Sequence, residues 1–579
     1  GMRVNWDKRY ITLAPVCTVF GLAFHLYDPD SLLGSKKHIG ITCALVPYDH
    51  PGVDTGRRHF PLNAMFMNGP TRGKDVFMPL DFIIGGPKMA GGGWRMLMEC
   101  LAAGRSISLP SSNTGMAQMT ARAVGGYARV RSQFKMAVGK FEGVEEALTR
   151  IGAYTYMMDA VRKMTAGAVD LGEKPSVIGA YTYMMDAVRK MTAGAVDLGE
   201  KPSVVSAIAK YHVTERARQV VNDGMDVIGG KGICLGPSNF MGRAYQQVPI
   251  GITVEGANIL TRSLIIFGQG AIRCHPFLLA EMQAAQNPDL NKGLVDFDKA
   301  LWAHVGFTIK NGFRALWLGM TGSHFVTVNV DTAPEMRRYY QQMTRFSAAF
   351  AFMSDISLLV LGGSVKRREK LSARLGDILS QMYLISCTLK RYEEEGRKAE
   401  DAPLAHWAIW DAMYKAQEAF DGVIANFPVR FIAAFLQRSI FPWGHPYVVP
   451  SDEVGHQVAK LLIAPSATRD RLTAECFIPQ TDKEPVGAIE LALLATLEAE
   501  AIEAKIRVAE KDGRFENNPQ ANVRDIAIVA AEYGVITAAE FEVMKRRNAL
   551  RDIVVHVDDF PFDYGVATAN KPAESRMAA

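Results

Sequence analysis

The 579-residue sequence has no CxxC pair and no cysteine–histidine spacing of the kind that holds a structural metal. Its seven cysteines, Cys17, Cys43, Cys100, Cys234, Cys274, Cys387 and Cys476, are scattered and odd in number. That argues against a disulfide framework and reads as reduced thiols of a cytoplasmic protein. Charge of one sign is also lacking: 65 Lys and Arg stand against 60 Asp and Glu, for a net +5. So even a balance gives no basis for a nucleic-acid partner, though it permits a small anionic ligand. No apolar run reads as a membrane span. The stretch 11–26 follows Lys8 and Arg9, but Pro15 and Gly21 interrupt it and it lacks a cleavage site, which removes the signal-peptide reading. A strand-linked GxGxxG is absent too, because Gly229-Gly230-Lys231-Gly232 follows a helical pattern.

What is present is an ordinary globular mixture, 48% apolar and 22% charged, long enough for several domains. Residues 1–93 read as strands. The runs 10–26, 39–46, 60–67 and 74–84 are β-branched or aromatic, and turn residues such as Asp28-Pro29-Asp30 and His50-Pro51-Gly52 separate them. From Trp94 the period becomes helical. Val144, Leu148, Ile151, Met158 and Val161 fall on one apolar stripe. Helical texture runs to about 275, where Cys274-His275-Pro276 closes it. Residues 276–295, with Asn287-Pro288-Asp289, read as a linker. A second helical region over 296–565 is broken at Gly362-Gly363, and 566–579 reads as a disordered tail. The expected fold is multidomain α+β. A partial β-barrel or sheet domain over 1–93 precedes an α-helical bundle over 94–275 and a second, mainly α-helical domain over 296–565.

The segment 151–177 recurs without a difference as 178–204. Solenoid repeats diverge and come in larger numbers, so a single identical pair reads as a recent duplication or an assembly error. In a continuous helix, 27 residues make about seven and a half turns, which would bring the second stripe out on the opposite face. Each copy also ends in Gly-Glu-Lys-Pro, a helix stop. The expectation is that one copy fills the packed slot and the other is extruded.

Three short stretches carry chemistry. In Thr253-Val254-Glu255-Gly256-Ala257-Asn258 a carboxylate sits in an apolar run before a glycine. Desolvation there raises a carboxyl pKa and makes a better base, though a structural Glu at a helix start has the same appearance. Gly229, Gly230 and Gly232 allow backbone amides to approach a phosphate, or simply form a loop between helices. Arg131-Ser132-Gln133-Phe134 pairs a guanidinium with an aromatic ring, fit for a phosphate and a flat ring system or for a surface and a core.

The order of these features resembles the acyl-CoA dehydrogenase family over residues 1 to about 275. Phrases such as KRYITLAP, GGPKMAGGGWRML, GGKGI, TVEGANILTRS and IFGQGAIRCHP resemble the large bacterial fatty-acid-oxidation members with an extra C-terminal region. The resemblance implies FAD as cofactor and Glu255 as the base that takes the α-proton of a fatty acyl-CoA of medium or long chain. It implies trans-2-enoyl-CoA as product and an electron-transfer flavoprotein as acceptor. Thr12 matches the strand residue against the flavin. Arg131 and Phe134 match a motif reaching FAD across a subunit interface, and Gly229, Gly230 and Gly232 match the loop near a neighbouring subunit's FAD adenosine. Arg105 matches an arginine at the acyl-CoA site, and Gly256 a flavin-contacting turn. Asp226, Val254, Ala257 and Ile259 depart from the commoner pattern. The resemblance further implies a homo-oligomer, or a pseudo-dimer through the C-terminal domain, and peripheral contact with the bacterial inner membrane. It also implies that the chain is N-terminally truncated, since family members begin with a helical domain. Two other readings share part of this pattern: an acyl-CoA oxidase, which passes its electrons to oxygen, and a non-catalytic helical fragment.

Overall fold

The computed structural model describes residues 1–170, 203–271, 275–328, 331–515, 523–562 and 564. The N-terminal part is β-structure. Strand β1 (Met2–Thr12) begins with strict alternation, Met2, Val4 and Trp6 pointing inward. It pairs antiparallel with β5 (Asn68–Met78), whose other edge carries the two-residue β4 (Val53–Asp54). Strands β2 (Val19–Tyr27) and β3 (His38–Pro47) form a second antiparallel pair. Phe20, Leu22, Ala44, Val46, Val76 and Met78 close the space between them, and no closed barrel forms among the described residues. The run 10–26 proves to be two strands, split where Leu13 takes φ 64° before Pro15. The run 60–67 forms no strand. Pro61 has no N–H to give a ladder, Leu62 and Asn63 both have positive φ, and Ala64 N–H closes a turn on Pro61 O.

Helices follow: α1 (Gly93–Ala103), α2 (Leu109–Val130), α3 (Glu142–Asp170), α4 (Ser203–Ile228) and α5 (Gly242–Thr253). A two-strand hairpin, β6 (Ser132–Gln133) and β7 (Met136–Ala137), sits between α2 and α3. The stretch read as a linker carries structure of its own. Helix α6 (Leu278–Ala285) lies inside it, and α7 (Leu290–Met320) starts inside it, capped by the Asp289 carboxylate on the amides of Asn291 and Lys292. Then come α8 (Arg337–Leu361), α9 (Glu369–Glu394), α10 (Ala402–Ala425), α11 (Arg430–Ile440), α12 (Asp452–Leu462), α13 (Pro485–Lys511), α14 (Val523–Glu532) and α15 (Ala538–Val555). The break at Gly362-Gly363 separates α8 from α9, as its glycines imply.

One apolar core runs from α2 through α3, α4, α9, α10 and α12 to α13. Small residues make this approach possible. A Cβ on Gly125 would lie 2.3 Å from Leu462 O, and one on Gly152 would lie 2.9 Å from Val458. Buried ions stitch the same seam. Asp159 and Arg391 pair at 3.1 Å with 1% and 3% of their side chains exposed, the guanidinium lying over the Tyr156 ring. Arg337–Arg367 is long and apolar enough to cross a membrane. No span is read here from the sequence, and the run is interrupted by Arg345 and Asp355. Both are buried, and Phe346, Phe352 and Met353 of α8 join the common core.

Residues 151–166, the described part of the first repeat copy's side chains, are almost wholly inside this core. The second copy lies almost wholly outside the described residues. Asp159→Asn leaves Arg391 only its Glu395 partner and removes the counter-charge of Arg162 and Lys163 as well, and it is expected to cost about 1–3 kcal/mol in denaturant unfolding. If a single copy fills the slot, the same change at the equivalent Asp186 leaves the midpoint unchanged. In the sheet, a Cβ on Gly73 would lie 2.1 Å from the Trp6 ring. Gly73→Ala is expected to lower stability by about 1–3 kcal/mol in the same measurement.

Candidate active site

Helix α5 ends at Thr253, and Val254 leaves it in an extended conformation. Glu255 then adopts φ 54° and Gly256 φ 97°, before Ala257 returns to extended backbone and a single turn, Asn258–Leu260, leads into a π-helical segment, Thr261–Gln269. The glycine takes the second positive φ at little cost. Glu255 does not, and a left-handed glutamate persists only where its surroundings over-determine it.

They do so from two sides. Arg105 Nε donates to Glu255 O at 2.7 Å. Arg105 belongs to the π-helical turn Gly104–Ser108 between α1 and α2 and is 3% exposed. Lys210 of α4, wholly buried, donates to Gly256 O at 2.8 Å and to Asn258 Oδ1 at 2.6 Å. Asn258 Nδ2 in turn donates to Thr214 Oγ1 at 2.9 Å and Glu215 Oε1 at 2.8 Å, one helical turn further along α4. Both ends of the turn are thus tied to separate elements.

The carboxylate of Glu255 lies against Gly104, where a Cβ would stand 2.2 Å from Oε1. Any side chain at 104 would displace it. Its Oε2 is buried and accepts no hydrogen bond in the structure. Burial pushes the Glu255 pKa up, opposed by the charges of Arg105 and Lys210. Burial also drives Lys210 down to about 8, aided by repulsion from Arg105, while Glu255 and Glu215 pull it back. The result is a half-buried carboxylate with raised proton affinity, a free lone pair and a fixed backbone. Such a group is fit to take a proton from a bound molecule.

The structure brings Glu255, Gly256 and Arg105 into one constellation. It adds Lys210 and Asn258, which the sequence reading missed. The other candidate residues stand on separate elements. Thr12 is exposed at the end of β1, paired with Asn68. Arg131 follows α2 and donates to the Tyr127 hydroxyl at 3.0 Å. Phe134 is 91% exposed at the tip of the β6–β7 hairpin, where it and Lys135 both take positive φ, the backbone of a tight two-residue hairpin turn. A bulky residue held there presents its ring outward. Gly229 and Gly230 are exposed beyond α4 with open space around them, whereas Gly232 is packed on Met225. Lys231 between them turns inward to Ser238 Oγ and the carbonyl of His556, and Asp558 accepts from Ser238 N at 2.8 Å. The segment after α15 therefore docks beside the glycine loop.

Comparisons agree with this architecture. The family described as acyl-CoA dehydrogenase, C-terminal domain, matches residues 91–266, and the acyl-CoA dehydrogenase C-terminal region of bacterial type matches 272–560. The chain belongs to the acyl-CoA dehydrogenase family. The probable acyl-CoA dehydrogenase FadE10 of Mycobacterium tuberculosis is 24% identical over 463 residues, covering 74% of this chain and 64% of that protein. Protein HemX of Proteus mirabilis is 65% identical over 103 residues, covering 18% of this chain and 61% of that protein. This chain therefore spans less than two thirds of the length of these relatives. The structure of an acyl-CoA dehydrogenase complexed with FAD from Bacillus anthracis is similar in fold, with TM-score 0.55 at 18% identity, over 79% of this chain and 70% of that one.

Lys210→Met removes the donor to Asn258 Oδ1 and the stronger of two donors to Gly256 O, and a buried orphan costs about 1–3 kcal/mol. Hydrogen exchange of segment 252–260 is expected to accelerate, while the amides of α9 keep their protection.

Proposed function

We propose that the chain carries the proton-abstracting half of a flavin-dependent acyl-CoA dehydrogenase. The single observation behind this is the buried, unpartnered Oε2 of Glu255 in a turn clamped by Arg105 and Lys210. The substrate is an acyl thioester of medium or long chain, and the reaction is α,β-dehydrogenation to a trans-2-enoyl thioester. The α-proton of a thioester is a weak acid. A carboxylate with raised proton affinity, shielded from water, is the better base for it. Glu255 takes that proton on its carboxylate, and Arg105 and Lys210 hold its backbone while it does so. The positive charges of the same two residues favour the enolate-like charge that develops nearby.

The residues present suit FAD on three counts. Gly229 and Gly230 leave open space beside exposed backbone, and the outward Phe134 offers an aromatic face. Arg131 stands three residues before Phe134 at the hairpin tip, a donor fit for a pyrophosphate oxygen. Bound FAD supplies the acceptor for the β-hydride, and an electron-transfer flavoprotein takes the electrons onward. Phe134 and the glycine loop are exposed on elements separate from Glu255's own turn, which favours an assembly in which copies of the chain share cofactor sites.

The protein is proposed to work in the cytoplasm against the inner membrane. Along α7 and α11, Trp302, Phe313, Trp317, Phe431 and Phe435 are each more than half exposed, as is Trp443 just after α11. Between Leu301 and Met320 there is no carboxylate, and the basic residues are Lys310, Arg314 and the largely buried His304; α11 contributes Arg430 and Arg438. Exposed aromatic rings interspersed with cations, with the exposed Asp298 one turn before Trp302, suit an anionic lipid surface. Cosedimentation with phosphatidylglycerol vesicles is expected, and it is expected to weaken at least about tenfold when Trp302, Phe313 and Trp443 become Ser together.

For the reaction, Glu255→Gln in FAD-loaded protein is expected to retain flavin colour and to lose several orders of magnitude in the rate of reduction by acyl-CoA. Reduction at the wild-type rate removes Glu255 from the role. Hydrogen peroxide produced without an added acceptor would assign the chain to the oxidases instead.

A further inference from the structure

Near the start of the second family-matched region, the first three helices and the chain entering them hold a largely buried cluster of ionisable groups that the proposed reaction does not use. His275 precedes α6, Glu281 lies on α6, His304 on α7 and Asp355 on α8. Their side chains are 9%, 14%, 16% and 2% exposed. His275 Nδ1 faces the amides of Phe277 and Leu278, both at 3.3 Å, so that nitrogen accepts. The ring proton therefore sits on Nε2, which donates to Asp355 Oδ1 at 2.8 Å. Thr308 Oγ1 donates to Asp355 Oδ2 at 2.8 Å. His304 is placed differently. Its Nδ1 lies 2.8 Å from Glu281 Oε1 and its Nε2 lies 3.7 Å from Asp355 Oδ1. A carboxylate oxygen faces each of its two nitrogens.

A neutral imidazole has one N–H and one lone pair. With a carboxylate on both sides, the neutral ring would aim its lone pair at a buried negative oxygen. Only the imidazolium satisfies both. We propose that His304 is a proton-operated latch that holds α6, α7 and α8 together at the joint between the two helical regions. The groups around it are Glu281 from α6, Asp355 from α8 and the neutral His275 from the entering chain. Phe277 stacks on the His304 ring at 5.5 Å and shields that face from water. The same three donor residues, His275, His304 and Asp355, lie close enough to suggest a metal site. The tautomer opposes it. A metal on His275 Nε2 would require the proton on Nδ1, where two amides already point.

The sign follows from linkage. The two carboxylates hold the His304 pKa above its ordinary value of 6.5, with Asp355 the larger cause. A raised pKa stabilises the joint fully below the unfolded value, and that contribution is lost as pH rises through the folded one. Asp355, held below its ordinary value by these donors despite burial, fails only in acid. The latch is thus closed below the ordinary imidazole value and opens as pH rises through the raised one. Because the joint follows directly from the π-helical segment after the Glu255 turn, its opening frees the end of that segment.

Hydrogen–deuterium exchange on the full chain, corrected for intrinsic rate, tests this. Protection of 278–304 is expected to fall as pH rises from about 6 to about 9, by about tenfold for each unit of pKa elevation, with α9 as an unchanged reference. His304→Gln is expected to show low protection with no pH dependence. Glu281→Gln, the milder change, is expected to move the loss to lower pH. Flat wild-type protection overturns the latch, as does an unchanged pH response in Glu281→Gln. A stoichiometric divalent metal, whose removal by chelator abolishes the protection, overturns it in favour of a metal site.

Discussion

The left-handed backbone of Glu255 is the constraint on which the site depends. A glutamate gains nothing locally from φ 54°. It is held there because Arg105 and Lys210 satisfy the carbonyls of Glu255 and Gly256 from two different elements. The same arrangement turns the carboxylate back onto Gly104, into a place too tight for water-like solvation and without a hydrogen-bond donor. Strain in the backbone, burial of the charge and proximity of two cations are thus one device. Each would be unfavourable alone, and their combination is a carboxylate whose proton affinity burial raises.

The rest of the helical structure serves to keep those elements in register. Helix α4 carries Lys210, Thr214 and Glu215 beneath the turn, and it is packed on α2 and α3 in a core that continues into α9, α10 and α12. The second helical region is therefore an integral part of the support for the first. Glycines at 125 and 152 let backbones approach, and the buried Asp159–Arg391 pair fixes the relation of α3 to α9. The joint between the regions adds its own constraint, in which a ring caught between two carboxylates needs a proton to stay.

How much of this was legible in the sequence follows from the range of each interaction. The α+β order and the break at Gly362-Gly363 are local, and period and turn residues disclose them. Glu255 stands out because its apolar neighbours and following glycine adjoin it. Lys210 does not, since 46 positions separate it from Gly256 and it sits in a helix with an ordinary pattern. The His275–Asp355 contact spans 80 positions and leaves no local trace. Positive φ at Leu62 and Asn63 reverses the reading of 60–67, because propensity describes side chains while the turn is decided by backbone and Pro61. The buried Arg345 and Asp355 of the apolar helix α8 likewise find partners only in the folded chain.

The central claim is that Glu255 removes a proton from the carbon next to a thioester, and α-carbon exchange measures that step apart from any electron acceptor. A saturated acyl-CoA is incubated with the protein in deuterated water and the recovered thioester is analysed by mass. The account predicts deuterium at the α-carbon with wild-type protein and none above the protein-free rate with Glu255→Gln. Equal incorporation by the two proteins would contradict it.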